Sequence, residues 1–242
     1  MTRRGPSKPE TVAAVVLAAG RGARFGGTGN KIFAQVAGRA ILAHALLAFA
    51  REEEVQEIVL VFRPGEEGPV REAAAAVPRP VRLVAGGERR QDSALAGVAE
   101  ARSEIVLVHD AARPFPSSSL IRRVIEAARA HGAAAAAIPV ADTLRYAQAE
   151  GSLLPGRVDR HRLFAMQTPQ GFRRDLLLDA LKAAPGEVTD EAEAVIARGD
   201  PVFTVEGEVT NLKITTRADL ALAEAIARSP SQATSHPLGA TQ

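Results

Sequence analysis

The 242-residue sequence contains no cysteine and no tryptophan, and aromatic residues make up only 4% of it. Without cysteine the chain can form neither a disulfide framework nor a thiolate metal or redox site. The histidines lack the spacing of a metal motif such as HExxH, and no apolar run approaches the roughly 20 residues that span a bilayer. These absences exclude disulfide-rich, thiol-dependent and membrane-spanning classes of protein.

Lysine is also scarce, since only four of the 30 basic residues are lysine: Lys8, Lys31, Lys182 and Lys213. The formal net charge is only +2, and the arginines are scattered among acidic residues. Proteins that bind nucleic acid typically carry dense basic tracts or aromatic stacking surfaces, and this sequence has neither. We therefore expect no nucleic acid and no membrane among its partners.

An apolar run near the N-terminus, residues 12–20, follows Arg3 and Arg4 and loosely resembles a signal peptide. The run is at the short end of the range for such segments, and Pro9 and Glu10 interrupt the approach to it. A buried parallel strand explains the run better, and we expect the protein to be cytoplasmic.

Short apolar runs alternate with longer amphipathic segments, which predicts βαβ units and an α/β fold with a doubly wound, mostly parallel sheet. The predicted strands are residues 12–18, 57–62, 81–84, 105–109, 133–140 and 202–205. The predicted helices are residues 40–50, 68–77, 91–101 and 117–131. Ligands of such sheets bind at the carboxyl ends of the strands.

Two segments depart from this alternation. Residues 142–162 contain two short strand-like runs around Glu150 and Gly151, which predict a protruding β-hairpin arm. Residues 229–242 are rich in Pro, Ser, Thr and Gly and are predicted to be a disordered tail. Residues 1–228 are expected to form a single domain.

A glycine-rich loop, LAAGRGARFGGTGNK at residues 17–31, follows the first predicted strand. Glycine lets backbone N–H groups approach an anion closely, and the basic side chains neutralise it, so this composition suits a polyphosphate. The loop matches neither a dinucleotide GxGxxG fingerprint, which needs glycine where Phe25 stands, nor a P-loop GK[ST], because Ile32 follows Lys31. A flexible surface loop remains the alternative interpretation.

Several segments follow this loop in a specific order. They are GGERRQDSALAG (86–97), VLVHDAARPF (106–115), VDRHRLFAMQTPQGF (158–172), TDEAEAV (189–195) and NLKITT (211–216). Together with the loop, they resemble the 2-C-methyl-D-erythritol 4-phosphate cytidylyltransferases of the non-mevalonate isoprenoid pathway, from about residue 12 to 227. The resemblance implies a Rossmann-like nucleotidyltransferase fold and cytidylyl transfer from CTP to a polyol phosphate with Mg²⁺ or another divalent cation.

The resemblance also implies a nucleotide site. Catalytic contacts to the CTP phosphates are expected from Arg24, Lys31 and Lys213. Nucleotide-binding positions are expected at Ala18, Ala19, Gly20, Gly22, Gly86, Gly87, Glu88, Arg90 and Ser93. For Glu88 and Ser93, simple helix capping is the alternative interpretation, because acids and serine are common near helix starts.

On the polyol-phosphate side, the resemblance implies contacts from Asp110, Arg113, Arg160, Thr168 and Thr189. Asp110 is also where a Mg²⁺ ion held mainly by CTP phosphates is expected, and Arg113 is expected to brace the strand ends. The hairpin arm is expected to form a homodimer in which Arg160 acts across to the second subunit. His109 is expected to be a structural core histidine.

The chain departs from the family pattern at Asn30 and Ile32, where Pro and Gln usually flank the loop lysine. These changes remove a rigid turn residue and a polar amide, so we expect a less preorganised loop and altered CTP affinity. Two alternative functions remain open. One is a cytidylyltransferase for ribitol 5-phosphate or another polyol phosphate, and the other is a non-catalytic nucleotide-binding regulatory subunit.

Overall fold

The computed structural model describes residues 10–20, 25, 30–184 and 186–229. Its strands are β1 (Val12–Leu17), β2 (Gln35–Val36), β3 (Arg39–Ala40), β4 (Val55–Phe62), β5 (Val81–Ala85), β6 (Ile105–Asp110), β7 (Ala133–Pro139), β8 (Phe164–Arg173) and β9 (Phe203–Glu206). Its α-helices are α1 (Ile41–Ala50), α2 (Glu67–Ala75), α3 (Arg90–Glu100), α4 (Ser118–His131), α5 (Arg174–Ala183), α6 (Glu191–Ala197) and α7 (Arg217–Ala227). Within the described residues, no helix is both long and apolar enough to cross a membrane.

The main sheet is arranged around β1, in the order β5–β4–β1–β6–β8–β7–β9. The strands β5, β4, β1 and β6 run parallel, and β8 is antiparallel to both of its neighbours. The chain passes outward from β1 through β4 to β5 and then returns to place β6 on the other side of β1. Such a reversal of strand order leaves a crevice at the carboxyl ends of the strands, where ligands bind.

Helices cover both faces of the sheet. Alternate side chains of β1 point to opposite faces because the side-chain period of a strand is two residues. Ala14 and Val16 belong to the apolar cluster with α1, α2 and α4, whereas Ala13 and Val15 pack with α3, α5 and α6. Burial on both faces explains the continuous apolar runs, and the predicted doubly wound, mostly parallel α/β fold is confirmed.

All the predicted strands and helices are present, with ends that differ by at most two residues from those observed. The prediction omitted β8, the short hairpin of β2 and β3, and the helices α5, α6 and α7. The strand β8 was missed because it contains Pro169, and a proline, which has no N–H to donate inside a sheet, argues against a central strand. The structure accommodates this proline opposite an irregularity in β7, where the register shifts between Ala135 and Ala137.

The segment predicted to be a protruding arm forms a short hairpin. A single β-bridge joins Ala147 to Leu153, and Gly151 turns the chain with a φ of +93°. Over residues 141–166 every side chain is exposed except those of Leu144 and Val158, which are partly buried. The arm therefore adds almost nothing to the core of this chain.

Of the predicted tail, only Ser229 lies within the described residues, and the single domain stays a prediction.

A third apolar cluster fastens α7 to the short β2–β3 hairpin. Val36, Phe115, Ile214 and Ala223 are buried in it. Because Val36 follows the 3₁₀ helix Lys31–Phe33 and Ile214 follows Lys213, this cluster holds two distant parts of the sequence side by side. It thereby brings the two predicted phosphate-binding lysines to the same edge of the sheet.

Candidate active site

A cavity of about 700 Å³ opens at the carboxyl ends of β1, β4, β5 and β6. Its wall combines these strand ends with the segments that carry the two lysines. The lining residues are Leu17, Ala18, Ala19, Gly20, Lys31, Ile32, Arg63, Pro64, Gly86, Gly87, Glu88, Arg89, Arg90, Ser93, Asp110, Ala112 and Lys213. All the predicted nucleotide-side residues that the structure describes lie in this wall. The predictions for Gly22 and Arg24 lie outside the described residues.

Lys31 and Lys213 both line the cavity. The Lys31 ammonium donates a hydrogen bond to the backbone carbonyl oxygen of Ile214 at 2.6 Å. The neighbouring Lys213 ammonium donates to Oδ2 of Asp110 at 2.7 Å. Two cations that are far apart in the sequence therefore lie beside the same space, as the binding of a polyphosphate requires.

Asp110, at the end of β6, lies between two cations. Its Oδ2 accepts from Lys213, and its Oδ1 lies 3.3 Å from Nη2 of Arg90. Burial alone would raise the pKa of Asp110, but the charges of Arg90 and Lys213 outweigh burial and hold that pKa well below its usual range. Asp110 is therefore a fixed anion inside the cavity wall.

Glu191 completes this chain of charges, and sequence reasoning did not single it out. Its carboxylate oxygens lie 2.7 Å and 3.0 Å from the two terminal nitrogens of Arg90, and its side chain is only 1% exposed. Burial raises the pKa of Glu191 against the opposing effect of Arg90. The same two acids raise the pKa of Arg90 despite its burial. No local signal distinguished Glu191 in the segment TDEAEAV, because acids are common in the first turn of a helix.

The turn between β5 and α3 brings backbone groups to the cavity. The Gly86 N–H donates to the Phe62 carbonyl at 2.8 Å, and a Cβ at Gly86 would lie only 2.6 Å from the Cβ of Ala19. The Ser93 hydroxyl accepts from the Gly87 N–H at 3.2 Å and so fixes the turn. Glycine is therefore required at Gly86 by a close approach to the loop after β1.

Helix capping is not the role of Glu88 or Ser93 in this structure. The start of α3 is capped by Asp92, whose carboxylate accepts from the Arg89 N–H at 3.2 Å. Glu88 is exposed and lines the cavity, and Ser93 is buried against the turn. The carboxylate of Glu88 is thus available to a ligand in the cavity.

The turn after β4 supplies a basic side chain that sequence reasoning missed. Arg63 and Pro64 line the cavity, and the Arg63 carbonyl accepts from the Glu66 N–H at 3.0 Å to close the turn. The sequence did carry a signal for Arg63. Arg63 directly follows β4, and the carboxyl ends of parallel strands meet at the edge of the sheet where ligands bind.

Thr168, His109 and Arg113 form a buried hydrogen-bonded group behind Asp110, which we call the brace. The sequence predicts substrate contacts for Thr168 and Arg113 and a structural role for His109. The Thr168 hydroxyl accepts from the Asp110 N–H at 3.0 Å and lies 3.1 Å from His109 Nδ1, while His109 Nε2 lies 2.9 Å from the Arg113 carbonyl oxygen. Arg113 donates to the carbonyl oxygens of Asn211 at 2.7 Å and of Met166 at 3.3 Å.

This brace is shielded from the cavity. His109 is completely buried, and burial lowers its pKa to about 4, so its ring is neutral at pH 7. The predicted bracing role of Arg113 and the structural role of His109 agree with this geometry. Thr168 uses its hydroxyl on protein partners in this structure, so its contact with a substrate phosphate stays a prediction.

The remaining predicted substrate residues lie away from the cavity wall. Arg160 is exposed at the end of the arm and donates to the backbone carbonyl oxygen of Ala141. The exposed Thr189 hydroxyl donates to Oε2 of Glu193 at 2.7 Å, in the turn that precedes Glu191. This chain alone does not bring Arg160 to the lysines.

For a divalent cation, the described residues offer Asp110. They contain no group of three or more His, Asp or Glu side chains that could hold a metal ion. Mg²⁺ commonly takes only one or two carboxylates and completes its coordination with phosphate oxygens and water. An ionised carboxylate in the wall of a cavity that also carries two lysines fits that requirement.

The fold and the site together define an α/β nucleotidyltransferase. The sequence profile described as "IspD: 2-C-methyl-D-erythritol 4-phosphate cytidylyltransferase" matches residues 12–229. The chain therefore belongs to the 2-C-methyl-D-erythritol 4-phosphate cytidylyltransferase family. This family is the one that the ordered sequence segments predict.

Named relatives agree with this assignment. A 2-C-methyl-D-erythritol 4-phosphate cytidylyltransferase of Pelotomaculum thermopropionicum is 40% identical over 225 residues, covering 90% of this chain and 94% of that protein. A bifunctional enzyme IspD/IspF of Anaeromyxobacter is 44% identical over 229 residues, covering 92% of this chain but only 59% of that protein. The chain thus spans little more than half of the bifunctional relative.

Solved structures show the same fold. The crystal structure of 2-C-methyl-D-erythritol 4-phosphate cytidylyltransferase from Thermus thermophilus aligns with a TM-score of 0.74 at 39% identity, covering 89% of this chain and 98% of that one. The 4-diphosphocytidyl-2C-methyl-D-erythritol synthase of Anaerococcus prevotii aligns with a TM-score of 0.79 at 28% identity, covering 91% and 97% of the two chains.

Proposed function

We propose that this protein transfers the cytidylyl group of CTP to 2-C-methyl-D-erythritol 4-phosphate, giving 4-diphosphocytidyl-2-C-methyl-D-erythritol and pyrophosphate in isoprenoid precursor biosynthesis. Family membership and the names of the relatives support this reaction. The observation that carries it is the convergence of Lys31 and Lys213 on one cavity beside the ionised Asp110. A site of this kind suits a reaction that brings two phosphates together.

The chemistry needs charge neutralisation more than proton transfer. A phosphate oxygen of the polyol phosphate attacks the α-phosphorus of CTP, the bond from that phosphorus to the bridging oxygen breaks, and pyrophosphate leaves. The second ionisation of a phosphate monoester lies near pH 6, so the attacking oxygen is already anionic at neutral pH. Rate enhancement then comes from positioning the two anions and neutralising their charge, as in other phosphoryl transfers.

Lys213 is placed to exchange partners during binding. It contacts Asp110 in this structure, and a lysine carries a compact charge on a flexible stem that can move to an α-phosphate oxygen. Arg90 stays paired with both Asp110 and Glu191. Asp110 therefore keeps a cationic partner when Lys213 turns towards the nucleotide.

Base recognition falls to the β5–α3 turn. Cytosine presents an exocyclic amine and ring acceptors, which match the carboxylate of Glu88 and the backbone groups of Gly86 and Gly87. The bonds from Ser93 and Phe62 hold this turn in place before any ligand binds. Such preorganisation reduces the entropic cost of binding the base.

A Mg²⁺ ion is part of the proposal, with Asp110 as the protein ligand and the remaining positions filled by phosphate oxygens and water. When bound, such an ion supplies further positive charge to the phosphates. The low pKa of Asp110 supports this role, because the carboxylate is ionised without the metal.

A homodimer is also part of the proposal, with the arm of one chain completing the site of another. The arm and the adjoining start of β8 expose large apolar side chains, namely Tyr146, Leu153, Leu154, Leu163, Phe164 and Met166. Exposed apolar patches of this kind are typical of protein interfaces. In this arrangement Arg160 binds the substrate phosphate in trans, which accounts for its distance from the cavity of its own chain.

A pyrophosphate-release assay tests the reaction. Purified protein is given Mg²⁺ with each of several nucleoside triphosphates, crossed with 2-C-methyl-D-erythritol 4-phosphate and ribitol 5-phosphate. We expect release only with CTP, and chiefly with the methylerythritol phosphate. Equal or faster turnover of ribitol 5-phosphate would overturn the substrate assignment, and CTP binding without any release would indicate a regulatory subunit. The cytoplasmic location stays a prediction, which the proposed use of CTP supports.

A further inference from the structure

Asn30 stands at the end of the glycine-rich loop, immediately before Lys31, and its side chain contacts three separate parts of the site. Its Nδ2 donates to the carbonyl oxygen of Gly20 at 3.1 Å and to the two carboxylate oxygens of Glu66 at 3.0 Å and 3.3 Å. Its Oδ1 accepts from the Ile32 N–H at 3.4 Å and caps the 3₁₀ helix that carries Lys31.

The partners of Asn30 all belong to the wall of the cavity or adjoin it. Gly20 lines the cavity just after β1. Glu66 closes the turn after β4, whose other end is Arg63, a cavity residue. The amide of Asn30 therefore connects Gly20, Asn30 itself and the turn after β4 that contains Arg63 and Glu66. These contacts surround the end of the cavity at which Lys31 lies.

We propose that Asn30 is a positioning residue for the CTP triphosphate: its amide holds the backbone of Gly20 and the 3₁₀ helix that carries Lys31 against Glu66 in the turn after β4, so that Lys31 is in place before CTP binds. This inference rests on the proposed function. Asn30 touches no reacting atom in this role and acts through Lys31.

Conformational entropy gives these contacts their effect. Lys31 has a long side chain with much rotamer entropy to lose, and each restraint on the backbone that carries it, when present before binding, lowers the cost of ordering the site around a ligand. A hydrogen bond to a carboxylate is also stronger than one between neutral groups. The Asn30 side chain bonds to three parts of the site, at Gly20, Ile32 and Glu66. These hydrogen bonds restrain the backbone at Asn30, as the ring of a proline would at the same position.

The contacts divide cleanly between variants. Asn30→Ser keeps a side-chain oxygen for the Ile32 N–H but loses the amide Nδ2 group that donates to both Gly20 and Glu66. Asn30→Asp keeps the cap and places a second carboxylate against Glu66. Asn30→Asp combined with Glu66→Gln restores a donor–acceptor pair between these two positions with its direction reversed, but leaves the Gly20 carbonyl without its partner. Glu67→Gln makes the same chemical change one position further along the same turn and is the matched control for Glu66→Gln.

The dissociation constant for CTP is measured by calorimetry, together with kcat and the KM of each substrate and the thermal unfolding midpoint. We expect the Kd and KM for CTP to rise about tenfold in Asn30→Ser and more in Asn30→Asp, in line with the loss of a charged hydrogen bond. The double variant should recover to about the level of Asn30→Ser. Because Lys31 also acts on the phosphates in the transition state, kcat should fall as well, whereas the KM for the polyol phosphate should change less than about twofold and the thermal unfolding midpoint should change little. Glu67→Gln should match the wild-type protein.

Several outcomes contradict the inference. A CTP Kd in Asn30→Ser within twofold of wild type overturns it, as does a parallel loss of kcat, both KM values and thermal stability, which indicates a general structural role. Failure of the double variant to improve on Asn30→Asp overturns the Glu66 part. If the wild-type protein itself does not bind CTP, the proposed function fails as well, and this result is distinguishable from unaltered binding by the variants.

Discussion

The proposed nucleotide side and the proposed polyol-phosphate side of this site differ in how this chain holds their residues. On the nucleotide side, strand ends and two lysines meet in one cavity with their hydrogen-bond partners in place. On the other side, Arg160 and Thr189 are exposed, and each bonds to a residue outside the cavity wall, Ala141 and Glu193 respectively. The first half is fixed by the core of the sheet, whereas Arg160 of the second half lies on an arm that the core does not hold.

This difference shows that the two halves are stabilised by different forces. The nucleotide half lies on parallel strands buried on both faces, so each strand end has little freedom. The arm buries almost no apolar area in its own chain and exposes several large apolar side chains. We expect mutations in the first half to act within one chain, and mutations in the second to depend on the proposed second subunit.

The largest expected effect is at the lysines. Lys213→Ala and Lys31→Ala should each lower kcat by about a hundredfold or more, because each removes a charge that acts on the phosphates in the transition state. Pyrophosphate release measures this effect, and Lys182→Ala, which changes an exposed lysine of α5 outside the cavity wall, is the control. A change confined to KM would mean that the lysines bind ground state and transition state equally.

A smaller effect is expected from the brace between the two halves, through the buried His109. Its pKa is lowered from 6.5 to about 4, so the unfolded chain binds this proton at a higher pH than the folded one does. The stability that His109 contributes is fully present above about pH 6.5 and is lost as the pH falls towards 4.

Urea unfolding of the wild-type protein and of His109→Gln at pH 6.5 and pH 4.5 tests this. The wild-type unfolding free energy should fall by about 2 kcal/mol more than that of the variant, because carboxylate titration is common to both proteins. Equal decreases in the two proteins would show that His109 does not titrate as its burial requires.

The smallest effect tests the arm directly. Separately inactive Arg160→Ala and Lys31→Ala proteins should regain activity when mixed if Arg160 acts in trans. With random exchange about half of the dimers are mixed and each holds one intact site, so about a quarter of wild-type activity is expected. No recovery, in a sample whose subunit exchange is verified, would place Arg160 in the site of its own chain or outside any site.

Sequence reasoning succeeded where function lies at the ends of strands. The apolar runs located β1, β4, β5 and β6, and the described glycines after β1 and β5, namely Gly20, Gly86 and Gly87, line the cavity. It was less successful with residues whose importance comes from a distant partner. Glu191 was missed because its role depends on Arg90, which lies 101 positions away in the sequence.

Asn30 shows how the structure adds contacts that the sequence does not reveal. From the sequence alone, replacing a proline by asparagine predicts a less restrained loop, because only the loss of a rigid ring is visible. In the structure the asparagine amide bonds to Gly20 and Glu66, which lie ten and 36 positions away. The Asn30 variants measure whether these hydrogen bonds support CTP affinity in the absence of the proline ring.

The sequence by itself determined the doubly wound sheet, the family and the edge at which ligands bind. Hydrophobic periodicity and glycine placement are local properties, and parallel strands buried on both faces leave few alternative arrangements. The tertiary structure alone decided which charges pair: Lys213 and Arg90 with Asp110, Glu191 with Arg90, and Lys31 with the Ile214 carbonyl. These partners are 20 to 183 positions apart. Folding brings them within 3.3 Å because packing of the core, which no short segment encodes, fixes where each backbone passes.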